Sequence, residues 1–519
     1  MKKAIYLIIA LIGLSAPSCS DSMLDFSPTD SGSGKELLKS ASTAITSVNG
    51  VYRSMWTAGW STTANTHQCF GIAAYNLALD CMADDLIMQS QGNGWFWGDH
   101  CYNVKSKYTS SAFRSYDVWY ANYKWIANVN YIIDAEPEMA GTEADVAYVA
   151  GQAYAIRALC YLNLATWFSR APYNSLTGAS RWNEPCVPVY TTGTSIDTGG
   201  QPRESLRTVY GRIDQDIDRA IELLEKARET TLAENNKSHI NLYVALGIKS
   251  RACLAEGDWD GAFKAAKRVI DEGGYAVGTK SDLTGGMNSL DKQNVMWGAG
   301  IQVADQAGGY AGFFTHMDNK EGAYAKSAPK LISKQLYNRI SATDIRRDWW
   351  DPSDKESPYV SKKFSFANVA SFLGDYIYMR VEEMYFTAAE AALRLDDLKS
   401  ARELMNTVMA ERDPGYSANN RSGTLLGATT TTWTGSFLEN ILTHRRIELW
   451  GEYGRLFDVR RLGQGIDRRT DDGFSEECIS MMNRRNVNIT KADTYDWVLT
   501  IPKAELDANP NINEEDQNP

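Results

Sequence analysis

The sequence predicts a mainly α-helical protein, with helix–turn–helix pairs stacked on one another and a long loop-rich stretch beside them. Three observations lead there. Apolar residues recur at helical spacing through most of the N-terminal half. Two segments, Tyr243 to Asp271 and Tyr385 to Arg412, each read as helix, tight turn, helix. Between them, Gly273 to Ser371 is rich in Gly, Asp, Ser and aromatics and holds no regular period. The composition is that of a folded chain: 519 residues, 44% hydrophobic, 11% aromatic and 23% charged.

The elements follow in order. Lys2 and Lys3 precede an apolar run, Ala4 to Leu14. That run is too short to span a bilayer, which takes about 20 residues, and reads as a secretory signal. Ser15, Ala16, Pro17 and Ser18 then lead into Cys19. A small residue before a lone Cys resembles a bacterial lipoprotein cleavage site, so 1–18 is read as signal and Cys19 as the lipid anchor. An ordinary signal cleaved nearby is the alternative. Residues 19–36 read as a flexible tether, and 37–519 as one domain.

Leu37 to Trp56 has helical spacing. Val118 to Ile133 is an aromatic-rich helix ended by Pro137, and Val146 to Phe168 continues the helical theme. Val209 to Leu224 carries an apolar stripe with Asp214, Asp218, Glu222 and Glu225 opposite it. The pair at 243–271 turns at Gly257-Asp258-Trp259 and places Ala252, Ala262 and Ala265 where two helices approach closely. This resembles a tetratricopeptide repeat. The pair at 385–412 turns at Asp396-Asp397. Tyr131–Phe168 and Val209–Ala227 fit further, degenerate repeats, and such pairs stack because none buries its apolar face alone. Ser422 to Thr434 is a second, Thr- and Gly-rich loop.

Charge and residue usage exclude some functions. A net charge of −11 does not suit a nucleic-acid binder, whose phosphate contacts need a basic surface. Five His without metal-ligand spacing do not suit a zinc enzyme, and no twelve-residue calcium loop is present. No cofactor is expected. Nucleophile-elbow, P-loop, Rossmann and HExxH signatures are absent. Of the cysteines after Cys19, Cys160 and Cys253 read as buried apolar residues. Cys69, Cys81 and Cys101 lie close enough in sequence to admit a disulfide.

Four segments then point one way. They are Gln152 to Leu164 followed by Phe168 and Ala171-Pro172; Tyr210 to Ala220; Arg380-Val-Glu-Glu383-Met-Tyr385 followed by Ala389-Glu390-Ala391; and Arg445-Arg446-Ile-Glu448-Leu449 with Glu452, Gly454-Arg455, Phe457-Asp458 and Arg460-Arg461. Ile501-Pro502, Asn509-Pro510-Asn511 and Gln517-Asn518-Pro519 close the chain. With the lipoprotein start, this ordered set resembles the SusD/RagB family of Bacteroidota outer-membrane lipoproteins. The resemblance implies about four tetratricopeptide-like pairs with a large loop-rich half packed against them. It divides the domain into an N-terminal part, 37–240, and a C-terminal part, 241–519, with a variable insert at 273–371. It implies a SusC-like TonB-dependent transporter as partner, an outer-membrane location facing the exterior, and capture of oligosaccharides without catalysis. A branch of the family binds peptides instead, and an anchored glycosidase is a third reading, since paired carboxylates are defined in space rather than in sequence.

Sugar recognition needs aromatic platforms and fixed polar groups. The first candidate is the glycine-flanked run Asn93-Gly94-Trp95-Phe96-Trp97. Three consecutive aromatics cannot share one face of a helix or strand, so at least one lines a cleft, unless the run plugs the core beneath a loop. Starch-binding members of the family place ligand-contacting aromatics after an acidic segment like Asp84-Asp85. Asp84 is therefore a candidate for sugar hydroxyls, with a structural cap as the alternative. Tyr310 and Phe314 form the second candidate; the alternative is that Phe313 and Phe314 are both core and only Tyr310 is exposed. Trp349 and Trp350 read as structural, with arginines on their rings. Trp297 and Tyr275 read as core. Arg380 and Glu383 are one helical turn apart and are expected to pair, and the Arg445–Arg461 cluster reads as a buried structural network.

Overall fold

The computed structural model describes residues 34–57, 66–103, 113–195, 197–233, 237–302, 311–491 and 494–519. The predicted signal, Cys19 and Tyr310 lie outside the described residues. Helices dominate, as expected. The N-terminal series is α1 (Ala41–Ser54), α2 (Ile72–Met82), α3 (Phe113–Ala135), α4 (Glu143–Phe168), α5 (Leu206–Lys226), α6 (Leu242–Glu256) and α7 (Trp259–Glu272). The C-terminal series is α8 (Val381–Arg394), α9 (Leu398–Ala410), α10 (Phe437–Glu448), α11 (Arg455–Leu462) and α12 (Glu476–Arg484). From α3 to α9 each helix packs on the next, and α10 packs on α8.

Local chemistry sets the helix ends. Thr142, Ser205, Asn241, Asp258, Asp397 and Ser436 each accept a hydrogen bond from a first-turn backbone N–H. Gly257 ends α6 at φ +77°, and a Cβ there would stand 2.5 Å from the Tyr173 ring, so this turn needs glycine.

The insert at 273–371 folds as short pieces around two small sheets. β1 (Leu86–Ile87), β3 (Leu331–Ile332), β5 (Val360–Ser361) and β4 (Trp350–Asp351) form one antiparallel sheet in that spatial order. β2 (Val295–Ala299) pairs antiparallel with β6 (Tyr376–Arg380), from Val295 opposite Arg380 to Ala299 opposite Tyr376. The first sheet bears on the candidate site because β1 leads into the 92–99 loop.

α4 is buried on nearly every face, so its central Arg157 must be paired. It grips Asp216 of α5 at 2.7 Å through both Nε and Nη2, while Nη1 donates to Asn130 Oδ1 and Thr191 O at 2.8 Å. A larger network lies between α8, α10 and the insert. Glu448 accepts from Arg346 at 3.0 Å, Arg380 at 3.0 Å and Arg412 at 2.9 Å, all at zero exposure. Burial by itself raises the Glu448 carboxyl. The Arg412, Arg380 and Arg346 guanidinium groups outweigh it and hold the carboxyl well below its ordinary range.

Several expectations need correction. Arg380 does not pair with Glu383. It stands in extended backbone at the end of β6, so the helical turn that relates i and i+3 is missing. It pairs with Glu382, Glu448 and Glu452, and Glu383 pairs with Arg251 and Arg445. Trp349 and Trp350 are buried, but the cation over Trp349 is Lys363, at 4.4 Å. Arg346 is drawn away by Asp344 and Glu448. Cys69, Cys81 and Cys101 form no disulfide; the seven described cysteines are all free and buried.

Glu448→Gln should cost about 3–5 kcal/mol, because it leaves buried guanidinium groups short of their counter-charge. Guanidinium-chloride midpoints measure it. The pH dependence has a definite sign. A carboxyl held low in the fold adds stability above its unfolded pKa and loses it as pH falls through the folded value. Wild-type midpoints should therefore drop as pH falls below about 4, and drop less in Glu448→Gln.

Candidate functional site

The 92–99 loop is positioned from below. Asp84 and Asp85, just before β1, sit in a clamp. Arg446 Nη2 donates to Asp84 Oδ2 at 3.0 Å, Arg455 Nε donates to Asp84 Oδ1 at 3.2 Å, and Arg446 Nε donates to Asp85 Oδ2 at 3.0 Å. Burial opposes ionisation of Asp84, but Arg446 and Arg455 win and lower it to about 2. Arg468 reaches the carbonyls of Cys81 at 2.8 Å and Ala83 at 2.6 Å. At the loop's far end Arg114 of α3 grips Asp99 at 2.8 and 3.0 Å and the Gln68 carbonyl at 3.0 Å, fully buried.

Between these anchors the three aromatics separate. Phe96 is fully buried in the left-handed region, at φ +62°, a conformation uncommon for a bulky residue. Its N–H donates to Gln68 Oε1 at 2.8 Å, and the Arg114 guanidinium stands 5.3 Å from its ring. Trp97 is 3% exposed and packs on His100. Trp95 is half-buried. Its indole stacks on His67 at 5.1 Å and meets Tyr324 edge-on at 6.0 Å. The His67 ring hydrogen-bonds the Tyr324 hydroxyl, and His316 Nε2 donates to the His67 carbonyl at 2.6 Å. Burial, reinforced by Lys330, holds His316 well below the usual imidazole pKa, so it serves as a neutral, packed ring.

Gly92 lets the loop close against the insert. It has φ +51°, and a Cβ there would lie 2.6 Å from the Ser327 carbonyl oxygen. The 92–99 loop therefore meets the insert through the segment 316–327. Around Trp95, Gln89, Ser90, Gln91 and Asn93 are exposed. They place exposed amide and hydroxyl groups within a few residues of that aromatic in the chain.

The expected ligand residues thus divide. Asn93 and Trp95 reach the surface. Asp84, Phe96, Trp97 and Phe314 are buried, at 5%, 0%, 3% and 2% exposure, and cannot touch a ligand in this structure. Asp84 is consumed by arginines, and Phe314 packs on Phe313, Phe366 and Tyr376. Sequence reasoning missed His67 and Tyr324, which support Trp95 from distant segments with no local motif. Among the described residues, no group of three or more His, Cys, Asp and Glu could hold a metal ion. No helix of the described residues is long and apolar enough to cross a membrane.

Two family models match. One described as the SusD family matches residues 326–519, and one described as "starch-binding associating with outer membrane" matches 42–254. No curated protein matches this chain. Among solved structures, the chain resembles a SusD-like carbohydrate binding protein from Bacteroides vulgatus, with 24% identity, TM-score 0.72, and coverage of 92% of this chain and 98% of that one. It resembles a SusD superfamily protein from Bacteroides thetaiotaomicron at 22% identity and TM-score 0.72, covering 92% and 100%. Surface glycan-binding protein A from Bacteroides thetaiotaomicron, in complex with laminarihexaose, is 16% identical with TM-score 0.65, covering 92% and 99%. At these identities the structural likeness establishes the fold.

The two tryptophans should behave differently on truncation. Trp97→Ala should cost about 3–5 kcal/mol as a core deletion. Trp95→Ala should cost about 0.5–1.5 kcal/mol, the value of its ring contacts. Urea midpoints of the two variants check this.

Proposed function

The chain belongs to the SusD family, and on that premise we propose that it is a surface-exposed, non-catalytic glycan-binding lipoprotein that hands oligosaccharides to a SusC-like TonB-dependent transporter. The observation that carries this reading is Trp95, a partly exposed indole braced by His67 and Tyr324 in a loop that also exposes the amides of Gln91 and Asn93. A pyranose presents a C–H face to such a ring and hydroxyls to such amides. Asn93 supplies both donor and acceptor within the same loop. Laminarihexaose binding by a relative of the same fold supports the ligand class.

Capture without hydrolysis fits the carboxylates near the loop. Asp84 and Asp85 are buried and bound by Arg446 and Arg455, so neither is available to protonate a glycosidic oxygen. Anchoring would come from acyl chains on Cys19, with residues 19–36 as the tether.

Affinity gel electrophoresis of the soluble body against a polysaccharide panel tests the reading. One glycan class should retard the wild type, and Trp95→Ala should weaken that retardation about tenfold with an unchanged circular dichroism spectrum. Retardation by no glycan, together with peptides co-purifying with the transporter complex, would replace the glycan by a peptide.

A further inference from the structure

A cavity of about 470 Å³ opens along α3, and no residue of the 92–99 loop lines it. Its volume lies in the range of small-molecule sites. Trp119 and Tyr123 form one wall, with ring centroids 4.9 Å apart, and Tyr190 meets Tyr123 edge-on at 5.9 Å. The strap that carries Tyr190 and Thr198 forms the second side, and Glu505 of the 503–508 helix closes one end. α3 begins at the Arg114–Asp99 anchor. At 1.5 Å per residue, Trp119 and Tyr123 lie roughly 8 and 14 Å further along its axis.

The polar groups facing this cavity are partly spent and partly available. Glu505 Oε2 accepts from Trp119 Nε1 at 3.2 Å, and its Oε1 accepts from Asn509 at 2.8 Å. Each oxygen keeps a further lone pair. The Tyr190 hydroxyl accepts from the Gln201 N–H at 3.0 Å, which leaves its own proton to donate. The Thr198 hydroxyl accepts from the Ser195 N–H at 2.8 Å and likewise keeps its proton. Lys124 also lines the cavity, with its ammonium 5.7 Å from the Tyr120 ring. One cation and one anion leave the lining near neutral.

We infer that this groove is a second carbohydrate site, taking one neutral hexopyranose unit of a glycan chain against the partly exposed Tyr123 and Tyr190 rings, over a floor made by the buried Trp119, with Glu505 and the Tyr190 and Thr198 hydroxyls on its hydroxyl rim. The inference rests on the glycan reading above. Flat aromatic faces suit the C–H face of the sugar, and a mixed donor–acceptor rim suits its hydroxyls. A purely apolar ligand would desolvate Glu505 and offer no donor to its remaining lone pairs, at a cost.

The test is isothermal titration of the soluble body with maltohexaose, cellohexaose and laminarihexaose. Thr198→Trp fills the groove from an exposed rim position, and Tyr190→Phe removes one donor while keeping the ring. The groove predicts that Trp95→Ala retains measurable binding and that Trp95→Ala/Thr198→Trp loses it. It also predicts that Tyr190→Phe in the Trp95→Ala background weakens the remainder at least threefold. If wild type binds but Thr198→Trp and Tyr190→Phe change neither affinity nor stoichiometry in either background, the groove is overturned and the glycan reading stands. If none of the three hexaoses binds wild type, the glycan reading falls for these sugars and the groove falls with it.

Discussion

Glu448 lies at zero exposure among Arg346, Arg380 and Arg412, and the C-terminal half of the molecule is organised around keeping it there. A buried carboxylate is tolerated when its lone pairs are filled by well-aligned donors. Here the donors arrive from three separate places: the insert, the end of β6, and the segment after α9. None can shift without leaving a charge uncompensated. The constraint spreads outward through shared partners. Arg412 also holds Glu382, and Arg380 also holds Glu452. Glu390, Arg461, Asp458 and Arg445 repeat the arrangement between α8, α10 and α11. These networks do for the loop-rich half what apolar stripes do for the helical half: they fix relative position where no long element exists to do it.

The same device carries over to the candidate binding surface. Arg446 follows Arg445 along α10 and points to the other side of the chain, where it clamps Asp84 and Asp85. That clamp, with Arg468 on the carbonyls of Cys81 and Ala83, sets the start of the 92–99 loop. Arg114 sets its end. A loop anchored by charge at both ends holds Phe96 in the left-handed region and Trp97 in the core, and leaves Trp95 at the surface. A partly exposed aromatic loses little entropy on binding when its loop is already ordered, which lowers the cost of stacking a ligand on it.

The motifs around Arg380, Glu448 and Asp458 therefore act through structure. They specify the family fold, and they make no contact with the candidate ligand surface. The residues that would choose a ligand lie in segments without a motif. This division follows from what each job requires. A buried ion network tolerates few substitutions, because each change strands a charge. A surface platform needs only a ring and some polar groups, which many sequences supply.

The helices were legible from the sequence because their signals are local. The apolar spacing of 146–168 and 209–224, the Gly257 turn and the Asp397 turn are each contained within a few residues, and the structure places α4, α5, α6–α7 and α8–α9 there. The glycine-flanked run at 93–97 was legible as a break in regular structure, but not which ring faces out. That was decided by Gln68, Arg114, His67, Tyr324 and Ser327, which lie outside the loop, the last two more than 220 residues away in the chain. The burial of Asp84 was likewise decided by Arg446 and Arg455, more than 360 residues distant. The Arg380–Glu383 expectation failed because it assumed a helix where a strand ends. Sequence by itself determined the helical class, the repeat pairing and the family. Tertiary structure alone decided which aromatics are exposed and which charges are spent, because burial and pairing depend on partners that no local pattern encodes.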